Sequence, residues 1–331
     1  MDTDVFVTQP IPQPGLELLR RAHPGFRINS EERVLERAQL LEEVRGAAAI
    51  LALLTDLIDA EVLDAAGGRL RIVANMAVGF DNIDLQAASA RGIMVTNTPG
   101  VLTDATADLA WALLFAVARR IPESERFLRA GRFRHWGPLL FLGADIAGRT
   151  LGIVGAGRIG SAVARRARGF DMKVLYCNRS PRPQLETELG ARRTSLEELL
   201  READFVSLHL PLTPETRHII NARALALMKP TACLINTGRG PLVDEAALVE
   251  ALAAGRPAGA ALDVFEREPE VHPGLLARDD VVLTPHIGSA TTSTRARMAV
   301  MAAENLIAGL RGERPPNLLN EEAWERKRPR E

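Results

Sequence analysis

The run Gly155-Ala156-Gly157-Arg158-Ile159-Gly160 constrains this chain more than any other feature, because of what flanks it. Before it, Thr150-Leu-Gly-Ile-Val154 is short and apolar and reads as a buried parallel strand. After it, Ser161–Arg168 reads as a helix with a small-residue face, and Lys173-Val-Leu-Tyr176 as a second strand. Strand, glycine turn, helix and strand within about thirty residues is the context that separates a dinucleotide-binding turn from a chance GxGxxG. Each glycine meets its own demand. Gly155 allows the tight turn, Gly157 lets backbone N–H groups approach a pyrophosphate, and Gly160 lets helix and strand pack closely. The helix N-terminus adds partial positive charge for the phosphates.

The rest of the chain repeats the alternation of strand and helix, which argues for an α/β fold with parallel sheets. At 331 residues there is room for two domains. Strand-like runs at 5–8, 48–53, 72–75 and 93–96, with amphipathic segments such as 16–22 and 30–41 between them, form a small flavodoxin-like unit without a phosphate loop of its own. Residues 103–121, rich in alanine and leucine, read as one long buried helix. Further strands fall near 205–209, 233–236, 259–263 and 281–284, and a final helix, 291–309, is long enough to return to the first unit. The expected architecture is therefore a Rossmann dinucleotide-binding domain, 101–289, inserted in a discontinuous flavodoxin-like substrate-binding domain made of 1–100 and 290–331. The tail from Glu325 to Glu331 reads as frayed and solvated.

Composition narrows the partners. A net charge of -1 gives no reason to expect nucleic acid or an anionic membrane surface. No apolar stretch has the length of a membrane span, and the N-terminus carries acids where a signal peptide carries bases. Cys177 and Cys233 sit in apolar runs and read as free structural thiols of a reducing compartment, with no metal-ligand spacing around them. A cytosolic protein without a metal is expected.

Three later strand ends each carry one ionisable side chain: Arg239 in Ile235-Asn-Thr-Gly-Arg-Gly240, Glu268 in Asp263-Val-Phe-Glu-Arg-Glu-Pro269, and His286 in Leu283-Thr-Pro-His-Ile-Gly288. Strand ends are where open α/β sheets bind ligands. Arginine holds a carboxylate bidentately while polarising a neighbouring carbonyl. Histidine exchanges protons near neutral pH, and a glutamate bonded to it fixes its tautomer and favours its charged form. With a hydride carrier, these are the parts needed to interconvert a 2-oxo acid and a 2-hydroxy acid. Taken singly, each has a plainer reading: a surface cation, a loop carboxylate before proline, a packed histidine.

Together, Gly155–Gly160, Arg239, Glu268 and His286 resemble the D-isomer-specific 2-hydroxyacid dehydrogenase family, over nearly the full length. The resemblance implies that Arg239 binds the substrate carboxylate and carbonyl, that His286 donates the proton in reduction, and that Glu268 supports it. It also implies that Ala156, Arg158, Ile159, Thr237, Gly238 and Gly288 line the cofactor with the three glycines, and that Asp263 contacts the nicotinamide carboxamide. Val78 and Gly79 would offer backbone N–H groups to the substrate carboxylate, with Leu53, Leu54 and Phe80 as candidates for shaping its pocket. Pro99–Asp108 and Phe133–Leu140 are similar to segments of glyoxylate/hydroxypyruvate reductases within the family. The second segment, with Trp136 and Leu140, implies a homodimer.

NAD-preferring sites carry an acid at the end of the second strand. Here that place is Asn178, followed by Arg179, Ser180 and Arg182. With no carboxylate to repel a 2′-phosphate and cations to receive one, NADP(H) is the expected cofactor, with less selective use of NAD(H) as the alternative. Other dehydrogenases of the family, for D-lactate, 3-phosphoglycerate or phosphonates, and a corepressor-like NAD(P)-sensing protein remain as alternative functions. Glu268, where formate dehydrogenases carry glutamine, and Val78, where phosphonate dehydrogenases carry lysine, weigh toward glyoxylate and hydroxypyruvate.

Overall fold

The computed structural model describes residues 4–326; the readings made of the first three residues and of 327–331 lie outside that range. The chain divides into two compact units, one comprising the residues up to Leu102 with those from Ala290 onward, the other Thr103–Ser289.

The first unit is built on β1 (Val5–Val7), β2 (Arg27–Ile28), β3 (Ala49–Ala52), β4 (Ile72–Asn75) and β5 (Met94–Thr96). They form one sheet in the order β2-β1-β3-β4-β5, every pair parallel. That is the flavodoxin-like order, with strand order reversing beside β1. β1, β3, β4 and β5 are buried throughout, which is why they read as continuous apolar runs. β2 is a two-residue edge of an arginine and an isoleucine, so no hydrophobic pattern announces it. The helix expected over 30–41 starts only at Arg37 and runs to Glu43. Glu36 and Gln39 form a capping box there, and Arg33 in the preceding segment pairs with Glu31 and Gln39. The helix Thr292–Leu310 packs against Gln13–Ala22 and lies across β3, β4 and β5. The tail is ordered further than expected. Glu321–Glu325 is a short helix, and Arg326 donates to the carbonyls of Ser89 and Ala90.

The second unit carries β6 (Thr150–Val154), β7 (Lys173–Cys177), β8 (Arg192–Arg193), β9 (Phe205–Leu208), β10 (Cys233–Asn236), β11 (Gly259–Leu262) and β12 (Val281–Leu283). The parallel order β12-β11-β10-β9-β6-β7-β8 is the doubly wound arrangement, with its reversal between β6 and β9. β8, a pair of exposed arginines, escapes pattern reading as β2 does. The helix expected over 103–121 ends at Ala118, and a second helix runs Ile121–Arg129. Arg120 between them takes the left-handed conformation, φ 53°, and Pro122 opens the second helix. The first helix is pinned to the cofactor-turn helix Arg158–Arg166 by Trp111, whose Nε1 donates to the Val163 carbonyl at 3.0 Å, and Trp111 stacks on Phe170. Both cysteines are free. Among the described residues no helix is long and apolar enough to cross a membrane.

Candidate active site

At the reversal between β6 and β9 the glycines divide their tasks as the turn requires. Gly155 has φ 95°, and a Cβ there would lie 2.8 Å from the His209 carbonyl that follows β9. A Cβ on Gly160 would lie 2.1 Å from the Gly155 carbonyl oxygen, so this glycine seats the helix on the turn. Gly157 is different, because a Cβ there would meet no protein atom within 4 Å. No internal packing demands glycine at 157, yet it is the N-cap, has no side chain to cap the helix, and leaves first-turn N–H groups open. This cradle fits a dinucleotide pyrophosphate.

The loop after β7 is held by hydrogen bonds to backbone carbonyls. Asn178 donates to the Ser180 carbonyl and makes a local turn. Arg182 Nε donates at 2.7 Å to the carbonyl of Ala156 and ties this loop to the glycine turn. Arg193, arriving on β8, takes the neighbouring place and donates to the carbonyls of Asn178 and Arg179. Its role was hidden in the sequence because only the register of an edge strand brings it there. His209 was also missed. Its Nε2 lies 2.8 Å from Ser207 Oγ and its Nδ1 3.5 Å from Thr237 Oγ1, and burial pushes its pKa down to about 3. A neutral imidazole thus stands at the switch point beside Gly155 and Thr237.

Three strand ends of this unit position the candidate acid–base groups. After β10, buried Asn236 organises its own loop, donating to the Arg239 carbonyl at 2.9 Å and accepting from Gly238 N at 3.0 Å. Arg239 is thereby held in extended backbone, with Nη1 donating to the Gly238 carbonyl. A Cβ on Gly240 would lie 1.9 Å from the Phe265 carbonyl, so the loops carrying Arg239 and Glu268 are pressed together. After β11, Asp263 is 1% exposed and accepts three hydrogen bonds, from Thr284 Oγ1, Ile287 N and Gly288 N at 2.6–2.8 Å. Burial holds its carboxyl above the usual range. In the structure Asp263 therefore fastens the loop that carries His286, whose own backbone N–H donates to the Asp263 carbonyl.

His286 has φ 53°, a left-handed conformation unusual for a residue with a Cβ. Its Nδ1 lies 2.9 Å from Glu268 Oε2, while Glu268 Oε1 accepts from Phe265 N at 2.9 Å. Burial raises the Glu268 carboxyl, but the His286 hydrogen bond and charge, with help from Phe265 N and Arg239, outweigh it and hold the pKa below the ordinary value. With Nδ1 bonded to the carboxylate, His286 presents Nε2 as its free ring nitrogen. Side-chain exposures of 26% for His286 and 31% for Glu268 leave the pair reachable from solvent.

In the first unit, the turn after β4 is held by two asparagines the sequence reading passed over. Asn75 donates to the Gly79 carbonyl at 2.9 Å and Asn97 to the Val78 carbonyl at 2.8 Å. Leu54 and Phe80 are 36% and 39% exposed. Among the described residues no group of three or more metal-ligating side chains is assembled.

A doubly wound sheet with this turn and this imidazole–carboxylate pair defines a dinucleotide-dependent oxidoreductase. Residues 111–288 match the family model for the D-isomer specific 2-hydroxyacid dehydrogenase, NAD binding domain. The chain is 52% identical over 333 residues to a glyoxylate reductase of Thermococcus onnurineus, covering 99% of each chain. Among solved structures, a Thermus thermophilus protein superposes with TM-score 0.89 at 50% identity, over 96% of this chain and 100% of that one. An NADPH-dependent glyoxylate/hydroxypyruvate reductase of Sinorhizobium meliloti, in complex with NADP and malonate, gives 0.85 at 35% identity, over 100% of both. The chain belongs to the D-isomer-specific 2-hydroxyacid dehydrogenase family and is an NAD(P)-dependent enzyme of it.

Proposed function

We propose that this enzyme reduces small 2-oxo acids, glyoxylate and hydroxypyruvate, to glycolate and D-glycerate, with NADPH preferred over NADH. The observation that carries the proposal is the 2.9 Å His286–Glu268 pair, set on a loop that Asp263 locks and pressed beside the Arg239 loop. The bound nicotinamide supplies the hydride. Arg239 binds the substrate carboxylate and polarises its carbonyl, and the carbonyl oxygen takes its proton from Nε2 of His286. Glu268, kept ionised, favours the imidazolium before transfer and fixes the ring through Nδ1. Val78 and Gly79 are read as carboxylate donors, and Thr237, Gly238 and Gly288 with the glycine turn as the cofactor lining. The names of the relatives in Thermococcus and Sinorhizobium support the substrate class.

The cofactor preference rests on charge. Asn178 stands where an acid would repel a 2′-phosphate, and Arg179 and Arg193 flank it with Ser180. Arg182 and Arg193 are each tied to backbone carbonyls here and add to the positive charge around Asn178. A homodimer is proposed from the exposed apolar residues of the helix Ile121–Arg129 and the loop beyond it: Leu128 at 61%, Trp136 at 78%, Leu139 at 79% and Leu142 at 60%. Phe141, edge-on to Phe127, anchors the loop that displays them.

Initial rates with NADPH and NADH, each paired with glyoxylate, hydroxypyruvate and pyruvate, test both parts. NADPH-linked turnover of the first two at rates well above pyruvate is expected. NADH preference overturns the cofactor assignment alone, and turnover of none of the three overturns the substrate class.

A further inference from the structure

Three consecutive carbonyls after β4 are pinned from different directions. Thr98 N donates to the Ala77 carbonyl at 2.9 Å, Asn97 Nδ2 to that of Val78 at 2.8 Å, and Asn75 Nδ2 to that of Gly79 at 2.9 Å. A trans peptide is planar, so fixing a carbonyl also fixes the N–H of the following residue, which points the opposite way. The donors so aimed are those of Val78, Gly79 and Phe80, and among the described residues none of them meets an internal acceptor.

The pins are themselves buried and braced. Asn75 is 0% and Asn97 7% exposed. Asn75 also donates to Asn82 Oδ1 at 3.1 Å, and Asn82 donates to the carbonyls of Leu53 and Asp56. Asp56, buried, accepts from Leu53 N and from the Thr8 hydroxyl. A polar network therefore runs under the carboxyl edge of the first sheet from β1 to the 77–80 turn. Such a network is costly to bury, and a turn needs no network of this size merely to reverse direction.

We infer that Asn75 and Asn97 are positioning residues that aim the Gly79 and Phe80 N–H groups, with that of Val78 aimed by Thr98, at the carboxylate of a small 2-oxo acid. The inference rests on the substrate class proposed above and assigns the donors' orientation to two side chains that touch no substrate. A cradle of oriented N–H groups recognises the negative charge, so its loss should fall on carboxylate substrates rather than on the carbonyl chemistry.

The test compares glyoxylate with its neutral ester, ethyl glyoxylate, in Asn97→Ala and Asn75→Ala, and measures oxalate binding to each enzyme. The expected result is a KM for glyoxylate raised about tenfold or more with kcat within about threefold, an ester kcat/KM changed by less than about threefold, and weaker oxalate binding. Cofactor affinity should be unchanged. Asn97→Asp, equal in shape but facing the Val78 carbonyl with oxygen, gives a second reading if an alanine variant does not fold. Parallel loss on acid and ester, or unchanged glyoxylate KM and oxalate affinity, overturns the inference. A wild-type enzyme that reduces no 2-oxo acid, yet loses oxalate affinity on Asn97→Ala, overturns the proposed function and upholds the cradle.

Discussion

Glu268 makes two hydrogen bonds that have separate consequences: one from Phe265 N fixes its own loop, the other orients the His286 ring through Nδ1. Glu268→Gln keeps the shape and removes the charge that favours the imidazolium. The alkaline limb of kcat/KM for reduction should then move to lower pH; a profile that superposes on wild type contradicts the role. The candidate acid–base residues were legible because each stands at a strand end within a distinctive local run. The residues that hold them were not. Asp263's grip on the His286 loop and the Asn97 pin depend on hydrogen bonds across the fold, for which linear spacing carries no signal, while Asn75 and Asn236 bond within their own loops, where no hydrophobic pattern marks them. Arg193 shows the same limit, since it reaches the Asn178 and Arg179 carbonyls from a strand no pattern reveals.

Among the elements, the cofactor turn allows a sharp distinction between glycine needed for packing and glycine needed for a ligand. Gly160→Ala forces a methyl to 2.1 Å from the Gly155 carbonyl, so the helix Arg158–Arg166 must shift. A loss of about 1–3 kcal/mol in stability is expected, read in denaturant unfolding. Gly157→Ala meets nothing in the protein and should leave stability unchanged while weakening NADPH binding about 5- to 150-fold, read by fluorescence titration. If both variants bind cofactor as wild type does, the turn is not the phosphate site. The turn, the apolar strands and the alanine-rich helices were readable because their burial is written in runs of one polarity. Boundaries were not. The helix break at Arg120 comes from a left-handed residue, and the late start of Arg37–Glu43 from a cap outweighing an amphipathic pattern.

At the scale of the molecule, the two sheet orders place every candidate residue at a carboxyl edge, in keeping with where doubly wound sheets bind ligands. Among the described residues, the loop around Trp136 carries the most exposed large apolar side chains, Trp136 at 78% and Leu139 at 79%. Replacing Trp136 and Leu139 by serine should shift sedimentation from a dimer toward a monomer, and an unchanged mass would contradict the proposed interface. The central claim is that His286 delivers the proton in a 2-oxo acid reduction. Its most direct test is the NADPH-linked rate of glyoxylate reduction by His286→Asn at saturating substrate, with cofactor affinity measured on the same preparation. The account expects kcat to fall about 10²- to 10⁴-fold with NADPH binding nearly intact, and a variant with wild-type turnover would contradict it.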